Sequence, residues 1–156
     1  MNNVSGPNVV FSGVNVHVVS GSGATDDHGT PTGLGNLIVG YDEMPSPTGL
    51  PPGYRLGCNN LVVGELNDFA GYGGLVAGES NTTSGAMNVV FGDFNQASGD
   101  EVTVTGGFEN ISEGLYTSVS GGSSNDAIGS TSSISGGHGL FEYDTDGWAT
   151  SGYKNP

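Results

Sequence analysis

Residues 60–136 decide the fold, because one pentad pattern recurs there six times: NLVVG (60–64), GLVAG (74–78), NVVFG (88–92), VTVTG (102–106), TSVSG (117–121) and SSISG (132–136). The pentads begin at positions 60, 74, 88 and 102, and then, at an interval longer by one, at positions 117 and 132. A second signature, N-x-x-x-G, follows each of the first five pentads. Self-similarity at a fixed short period is typical of a repeat architecture, in which each repeat packs only against its neighbours.

The composition and the period together define the fold class. Glycine makes up 30 of the 156 residues, and the apolar positions show no period of 3.6 residues, so helix is not expected. A coil of 14 or 15 residues has room for two short strands and two turns, and stacked coils pair as parallel strands about 4.8 Å apart. We therefore predict one all-β domain over 1–156, a parallel β-roll or β-solenoid of 14–15-residue coils.

Three sets of side chains are expected to face inward, because the pleat of a strand turns alternate residues to opposite faces. The middle residue of each pentad is β-branched, and the third residue of each second signature is mostly small. The signature asparagines are expected to stack as an amide ladder, in which each side chain both donates and accepts. These sets are Ile38, Val62, Val76, Val90, Val104, Val119 and Ile134; Phe69, Thr83, Ala97, Ser112 and Ala127; and Asn67, Asn81, Asn95, Asn110 and Asn125.

The ladder position has an alternative interpretation at two residues. Asn81 and Asn110 begin N-x-[ST] sequons, which are acceptors for glycosylation in secreted proteins. The structural role in the ladder is the favoured interpretation for both.

The later coils are longer by one residue, and the addition has one location. The next central pentad residue always follows a ladder asparagine by nine positions. The separation between a central pentad residue and the ladder asparagine that follows it, in contrast, increases from five positions to six. The extra residue therefore falls in the corner after the pentad, at Gly106-Gly107 and Gly121-Gly122, where glycine tolerates a positive φ.

The segment 1–35 is interpreted as an N-terminal coil followed by a first insertion. Val14, Val16 and Val18 alternate as in a strand, and HVVSG (17–21) fits the pentad pattern as a first coil. The repeats of 36–136 are then interrupted by a second insertion at 41–59, which like the first (22–35) contains prolines and is expected to be loop.

Insertions in solenoids lie on one face and often carry binding. The aromatic and charged side chains of the two insertions are therefore the candidates for contact with a target, which would be a host or matrix surface. They are Asp26, Asp27, His28, Tyr41, Tyr54 and Arg55.

The tail, 137–156, loses the repeat and gathers aromatic residues. It is interpreted as an irregular C-terminal cap or exit, which covers the otherwise open edges of the last coil.

The residues that flank each central pentad position point outward, and their character changes along the chain. The early flanks are aliphatic or aromatic, and leaving them in water forgoes roughly 1.5–3 kcal/mol for each larger side chain. Such a patch is typical of an interface, and the simplest partner is another copy of the chain. The predicted oligomer interface comprises Leu37, Val39, Leu61, Val63, Leu75, Val89 and Phe91.

Charge and composition weigh against several functions. A net charge of −14 repels phosphate backbones, and the chain has no basic face for an anionic membrane. No window is apolar enough to span a membrane, and the N-terminus does not resemble a signal peptide. The sequence offers no Ser-His-Asp set, phosphate loop or metal-ligand spacing. We therefore expect a protein that is not an enzyme, with no cofactor, no metal and no nucleic-acid partner.

The pentads and the strand that follows them resemble the head repeats of trimeric autotransporter adhesins. That family's repeat runs roughly S-V-A-I-G and then S-x-A-x-G, and Asn95-Gln-Ala97-Ser-Gly99 matches its second half. The resemblance covers 36–136. It implies a left-handed parallel β-roll, a homotrimer and display on a bacterial surface or fibre for attachment. No heptad stalk, neck motif or anchor barrel is found in these 156 residues.

Two other functions share this architecture. The hydroxyl flanks of the late pentads form two regular columns that resemble the faces of solenoid ice-binding proteins. A phage or injection-system fibre segment would share the trimeric roll. The hydroxyl columns are Thr103, Ser118 and Ser133, and Thr105, Ser120 and Ser135.

Overall fold

The computed structural model describes residues 7–43 and 55–150, and it is an all-β solenoid. In chain order the strands are β1 Leu37–Val39, β2 Leu61–Glu65, β3 Asp68–Phe69, β4 Leu75–Glu79, β5 Thr82–Thr83, β6 Val89–Asp93, β7 Gln96–Ala97, β8 Thr103–Val104, β9 Ile111–Ser112, β10 Ser118–Val119, β11 Asp126–Ala127, β12 Ser133–Ile134, β13 Phe141–Glu142 and β14 Trp148–Ala149. A short 3-10 turn covers Asp27–Gly29.

The strands form two parallel sheets, as predicted. Sheet 1 has the order β1-β2-β4-β6-β8-β10-β12-β14, and sheet 2 has the order β13-β11-β9-β7-β5-β3. Each complete coil contributes one strand to each sheet, and equivalent residues of successive coils pair directly, as in Val76 with Val90. The alternating pattern of the pentads therefore becomes two faces of a sheet, one inside the coil and one outside.

The core is the space between the two sheets. From Val62 to Ile134 the central pentad residues are at most 3% exposed, and so are the inward residues of sheet 2 from Phe69 to Ala127. Ile38, in the first strand of sheet 1, is only partly buried. The predicted inward-facing sets are confirmed, and the small residues of sheet 2 allow the sheets to approach closely.

The predicted amide ladder is present along one corner. Asn110 Nδ2 donates to Asn95 Oδ1 at 3.0 Å and to the Gly122 carbonyl oxygen at 3.1 Å, so each amide bonds to the coil before and the coil after. The main-chain N–H of Asn110 also donates to Asn95 Oδ1, at 2.9 Å. Asn81 and Asn110 are 0% exposed, so neither sequon is accessible to glycosylation in the folded chain.

A second, shorter ladder occupies the opposite corner, and the sequence analysis did not anticipate it. Asn60 donates to Asn36 Oδ1 at 3.1 Å, and its own Oδ1 accepts from the Gly74 N–H at 2.7 Å. Likewise, Asn88 Oδ1 accepts a hydrogen bond from the Val102 N–H at 2.9 Å. The signal was available, because these asparagines occupy the first position of three pentads.

The residue before each ladder position adopts a left-handed conformation, which turns the chain at the corner. Most of these residues are not glycine, yet their φ angles lie between 54° and 60°. They are Leu66, Ser80, Phe94, Glu109 and Ser124 at one corner, and Asn59, Met87, Glu101, Tyr116, Thr131 and Asp146 at the other.

The extra residue of the longer coils lies in the predicted corner. Val90 pairs with Val104, whereas Asp93, three positions after Val90, pairs with Phe108, four positions after Val104. A Cβ on Gly107 would lie 2.0 Å from the Gly122 carbonyl oxygen, whereas one on Gly106 would meet nothing within 4 Å. Gly107 therefore stacks between Gly92 and Gly122 of the neighbouring coils, and Gly106 is the inserted residue.

The prediction of a strand and a first coil before residue 21 is wrong. Residues 7–19 contain no strand, and Val14 and Val16 are 65% and 58% exposed. Ser20 N–H donates to Asn59 Oδ1 at 3.0 Å, and the main chain of Val19 and Ser20 lies against Gly35, the corner residue that precedes Asn36 and β1. HVVSG thus touches this corner but adds no strand to the open edge of β1.

The tail is also more regular than predicted. β13 and β14 extend both sheets, so residues 137–150 form a further coil rather than an irregular cap. Ladder hydrogen bonds use main-chain groups, as when Ser133 N–H donates to the Gly147 carbonyl oxygen at 2.9 Å, and they do not require the pentad residues. Leu140 and Ala149 still cover the end of the core.

Candidate functional site

The outer face of sheet 1 begins as an apolar surface. Leu37, Val39 and Leu61 are 49%, 54% and 36% exposed. The remaining residues of the predicted interface are partly buried by their neighbours along the sheet; they are Val63, Leu75, Val89 and Phe91. Parallel pairing in register places all seven in two adjacent columns.

The same two columns continue as hydroxyl groups and end at a tryptophan. Thr105, Ser120 and Ser135 are exposed, whereas Thr103, Ser118 and Ser133 are partly buried. Trp148 pairs with Ser133 in register, and its indole N–H donates to Ser135 Oγ at 2.7 Å. The face therefore changes from aliphatic to polar near residue 103.

The first insertion is organised around Asp27. This residue is 4% exposed, and its carboxylate accepts hydrogen bonds from Ser20 Oγ, from the Thr32 N–H at 2.9 Å and from Thr32 Oγ1 at 2.5 Å. The hydrogen bonds from Ser20 and then Thr32 hold the pKa of Asp27 well below its ordinary value. Asp27 thus fixes the loop, and it does not face a target.

The neighbours of Asp27 differ in exposure. Asp26 accepts a hydrogen bond from the His28 N–H at 3.1 Å, and His28 itself is exposed. Cys58 is fully buried beside this loop, and burial, followed by the nearby Asp27, raises the pKa of its thiol. A buried thiol with a raised pKa is a packing group rather than a nucleophile.

The second insertion is attached to the solenoid by Arg55. Its guanidinium donates to the Asp42 carboxylate at 2.9 Å and to the Glu43 carbonyl oxygen, and it lies 3.4 Å from the Asp68 carboxylate on sheet 2. The Arg55 side chain is only 15% exposed. Burial raises the pKa of Asp68, and the guanidinium counteracts this in part. Arg55, like Asp27, is therefore occupied within the chain.

Of the other predicted contact residues, Tyr41 is 93% exposed, which makes it the most accessible aromatic of the insertions in the described ranges. Tyr54 lies outside the described residues.

Titratable side chains do not converge into a metal site within 7–43 and 55–150, where no group of three or more His, Cys, Asp or Glu side chains could hold an ion. Glu65, Glu79 and Asp93 pair in register at the end of three strands, and all are exposed. His138 lies against Ser123, with Nδ1 2.9 Å from Oγ.

The outer face of sheet 2 carries a groove that the sequence analysis missed. Its volume is about 330 Å³. One wall consists of left-handed corner residues and the other of strand residues, so no linear motif marks it. The lining includes Phe94, Gln96, Glu109, Ile111, Asp126 and Phe141.

These features define the chain as a parallel β-solenoid with an apolar-to-hydroxyl face on sheet 1 and an acidic, aromatic groove on sheet 2. Comparisons with protein-family models, with curated proteins and with solved structures find no match for this chain. Within the described part of the chain, no helix is long and apolar enough to cross a membrane.

Proposed function

We propose that the chain is a non-enzymatic extracellular structural and adhesion module, the head segment of a homotrimeric bacterial surface adhesin or fibre. The observation that carries the proposal is the exposed aliphatic part of sheet 1 around Leu37, Val39 and Leu61. A contiguous apolar surface of this kind is typical of an interface, and a second and third copy would cover it. The surface location and the left-handed winding rest on the resemblance of the repeats to adhesin heads.

The association is tested by sedimentation equilibrium at micromolar protein. We expect a trimer for the natural chain and a monomer for the Leu37→Lys/Leu61→Lys variant, because a buried ammonium group in an apolar interface is unfavourable. Thr105→Lys/Ser120→Lys is the matched control on the hydroxyl part of the same face. A natural chain that remains a folded monomer would contradict the proposal.

Target contact in this proposal runs through the exposed side chains of the insertions, His28 and Tyr41. Asp27 and Arg55 support them by holding the loops. The test is binding of labelled protein to immobilised matrix proteins and to host cells, comparing the natural chain with Tyr41→Ala and with Tyr116→Ala, an equally aromatic but unrelated surface position. Equal binding by all three would remove Tyr41 from the proposed contact.

A second candidate is supported by the hydroxyl columns of sheet 1. Their register places equivalent hydroxyls one coil apart, about 4.8 Å, as in a flat ice-binding face. Thermal hysteresis at micromolar protein, abolished in the Thr105→Lys/Ser120→Lys variant, is the expected result for that function; its absence would exclude it. A phage or injection-system fibre segment is the third candidate, and the genes that flank the coding sequence distinguish it from an adhesin.

A further inference from the structure

The groove on sheet 2 combines apolar walls with carboxylates. Gln96, Ile111, Asp126 and Phe141 follow one another in a single column, each paired in register with the next. The corner residues Phe94, Glu109 and Ser124 run parallel to that column. Phe94 is 51% and Phe141 57% exposed, so both rings are available to a ligand.

Within this column, Asp126 has a carboxylate oxygen that lacks a hydrogen-bond partner. Its Oδ1 atom is buried and has no hydrogen-bond partner. The main-chain N–H of Asp126 already donates to the Leu140 carbonyl oxygen at 2.7 Å, so it cannot serve the carboxylate. Burial, followed by the nearby Glu113, raises the pKa of Asp126. A partly buried carboxylate without a donor is unfavourable, and a cationic donor would stabilise it.

A second aspartate of the same column has a cationic neighbour within the chain. Asp68 stands in the same column of sheet 2, reached through Thr82, Gln96 and Ile111. There the guanidinium of Arg55 lies 3.4 Å from the carboxylate. Arg55 is the only Lys or Arg among the described residues. It lies four coils from Asp126, about 19 Å at 4.8 Å per coil, which is too far for it to serve both.

We propose that the groove beside Asp126 binds the guanidinium of an arginine side chain presented by a basic segment of a partner protein. Asp126 and Glu109 would accept its N–H groups, as a planar guanidinium suits carboxylates. The methylene stem would pack on Ile111 and the face of Phe141, since guanidinium groups and their stems stack well on aromatic rings. The net charge of −14 would speed the encounter with a basic partner. This site is on sheet 2, and it requires neither the trimer nor the insertions.

The test is an NMR titration of the full chain with the peptide acetyl-Gly-Arg-Gly-amide, its neutral citrulline analogue and ethylguanidinium. We expect the arginine peptide to shift the resonances of Phe94, Phe141 and Asp126, and to bind about tenfold more tightly than the citrulline peptide. Asp126→Asn should weaken binding about tenfold, whereas Asp93→Asn, with the same charge change at an exposed site elsewhere, should not. Phe141→Ala provides a second variant that removes an apolar wall.

Three results would overturn the proposal. Equal affinity for the arginine and citrulline peptides would show that no charge is recognised. Equal weakening by Asp126→Asn and Asp93→Asn would show diffuse attraction to an acidic surface. Binding of ethylguanidinium as tightly as the arginine peptide would indicate a site for small cations rather than for an arginine side chain of a protein partner.

Discussion

Buried polar side chains join neighbouring coils at both corners of the solenoid. Each ladder asparagine provides an acceptor for the following coil and donates to main-chain oxygens of the corner. Asn95, for example, accepts from the N–H and Nδ2 of Asn110 at 2.9 and 3.0 Å, and donates to the Phe91 and Gly107 carbonyl oxygens at 2.9 and 3.0 Å. Because the ladder is buried, one truncation leaves several of these groups without a partner.

Asn95→Ala is therefore expected to lower the free energy of unfolding by roughly 2–4 kcal/mol, since buried donors and acceptors lose their partners at both adjacent coils. The neighbouring Gln96 is exposed, so Gln96→Ala should change stability by no more than about 0.5 kcal/mol. Chemical denaturation of both variants checks this. Similar losses for the two would mean that the ladder is dispensable.

Two buried hydroxyls, Ser132 at the opposite corner and Ser112 inside sheet 2, have contrasting surroundings. Ser132 Oγ is buried without a partner, whereas Ser112 Oγ lies 2.5 Å from Thr117 Oγ1. We expect Ser132→Ala to raise stability by about 1 kcal/mol, because it removes an unsatisfied group. Ser112→Ala should lower stability by about 1 kcal/mol. Thermal unfolding of the two variants gives the comparison, and a loss in both would contradict the assignment for Ser132.

The strands of sheet 1 are long in the shorter, early coils and short in the longer, late ones. β4 and β6 pair over five residues, but β6 and β8 pair over only two, because Gly106 interrupts the ladder before it resumes at Phe108.

The position of the extra residue was predictable, since it follows from the spacing of valines and asparagines alone. The left-handed corners were not, because non-glycine residues such as Leu66 and Phe94 occupy them and carry no common sequence signal.

Alanine at the two glycines of this corner should separate their roles. Both have positive φ, 152° at Gly106 and 90° at Gly107, so both substitutions are strained. Gly107→Ala also places its Cβ against the Gly122 carbonyl oxygen, and we expect a loss of roughly 2–5 kcal/mol. Gly106→Ala faces open space and should cost about 1–2 kcal/mol. Urea unfolding checks the order, and a reversed order would place the inserted residue at Gly107.

The insertions were predicted as loops, but their placement against the solenoid and the course of the N-terminal segment were not, for a different reason. Their positions depend on single side-chain contacts, such as Ser20 with Asn59 and Arg55 with Asp68, and these contacts have no period in the sequence. HVVSG matches the pentads as a string, but it forms no strand, and its last residues contact the corner residues Gly35 and Asn59 instead. Local similarity to the pentads was therefore not enough to predict a coil at the N-terminal end of the solenoid.

Across the whole molecule, 16 acidic residues face only two basic ones, so most carboxylates must be accommodated without an ion pair. The structure does this in three ways. The first group remains exposed to solvent and comprises Glu65, Glu79 and Asp93. Asp27 accepts hydrogen bonds from hydroxyl groups, and Asp68 forms an ion pair with the guanidinium of Arg55. Asp126 has none of these: its Oδ1 atom is buried without a partner, and burial raises its pKa.

Asp126 and Asp27 should therefore have opposite effects on the pH dependence of stability. The pKa of Asp126 is raised in the folded chain, so its contribution is full below the unfolded-state pKa, about 3.9, and is lost as the pH rises through the folded value. The pKa of Asp27 is lowered, so its contribution is present above about 3.9 and is lost as the pH falls towards the folded value. At neutral pH we expect Asp126→Asn to be more stable than the natural chain and Asp27→Asn less stable, with both differences shrinking as the solution is acidified. Urea unfolding of the three chains across the acid range measures this, and a destabilised Asp126→Asn at neutral pH would mean that its carboxylate already has a partner in the folded chain.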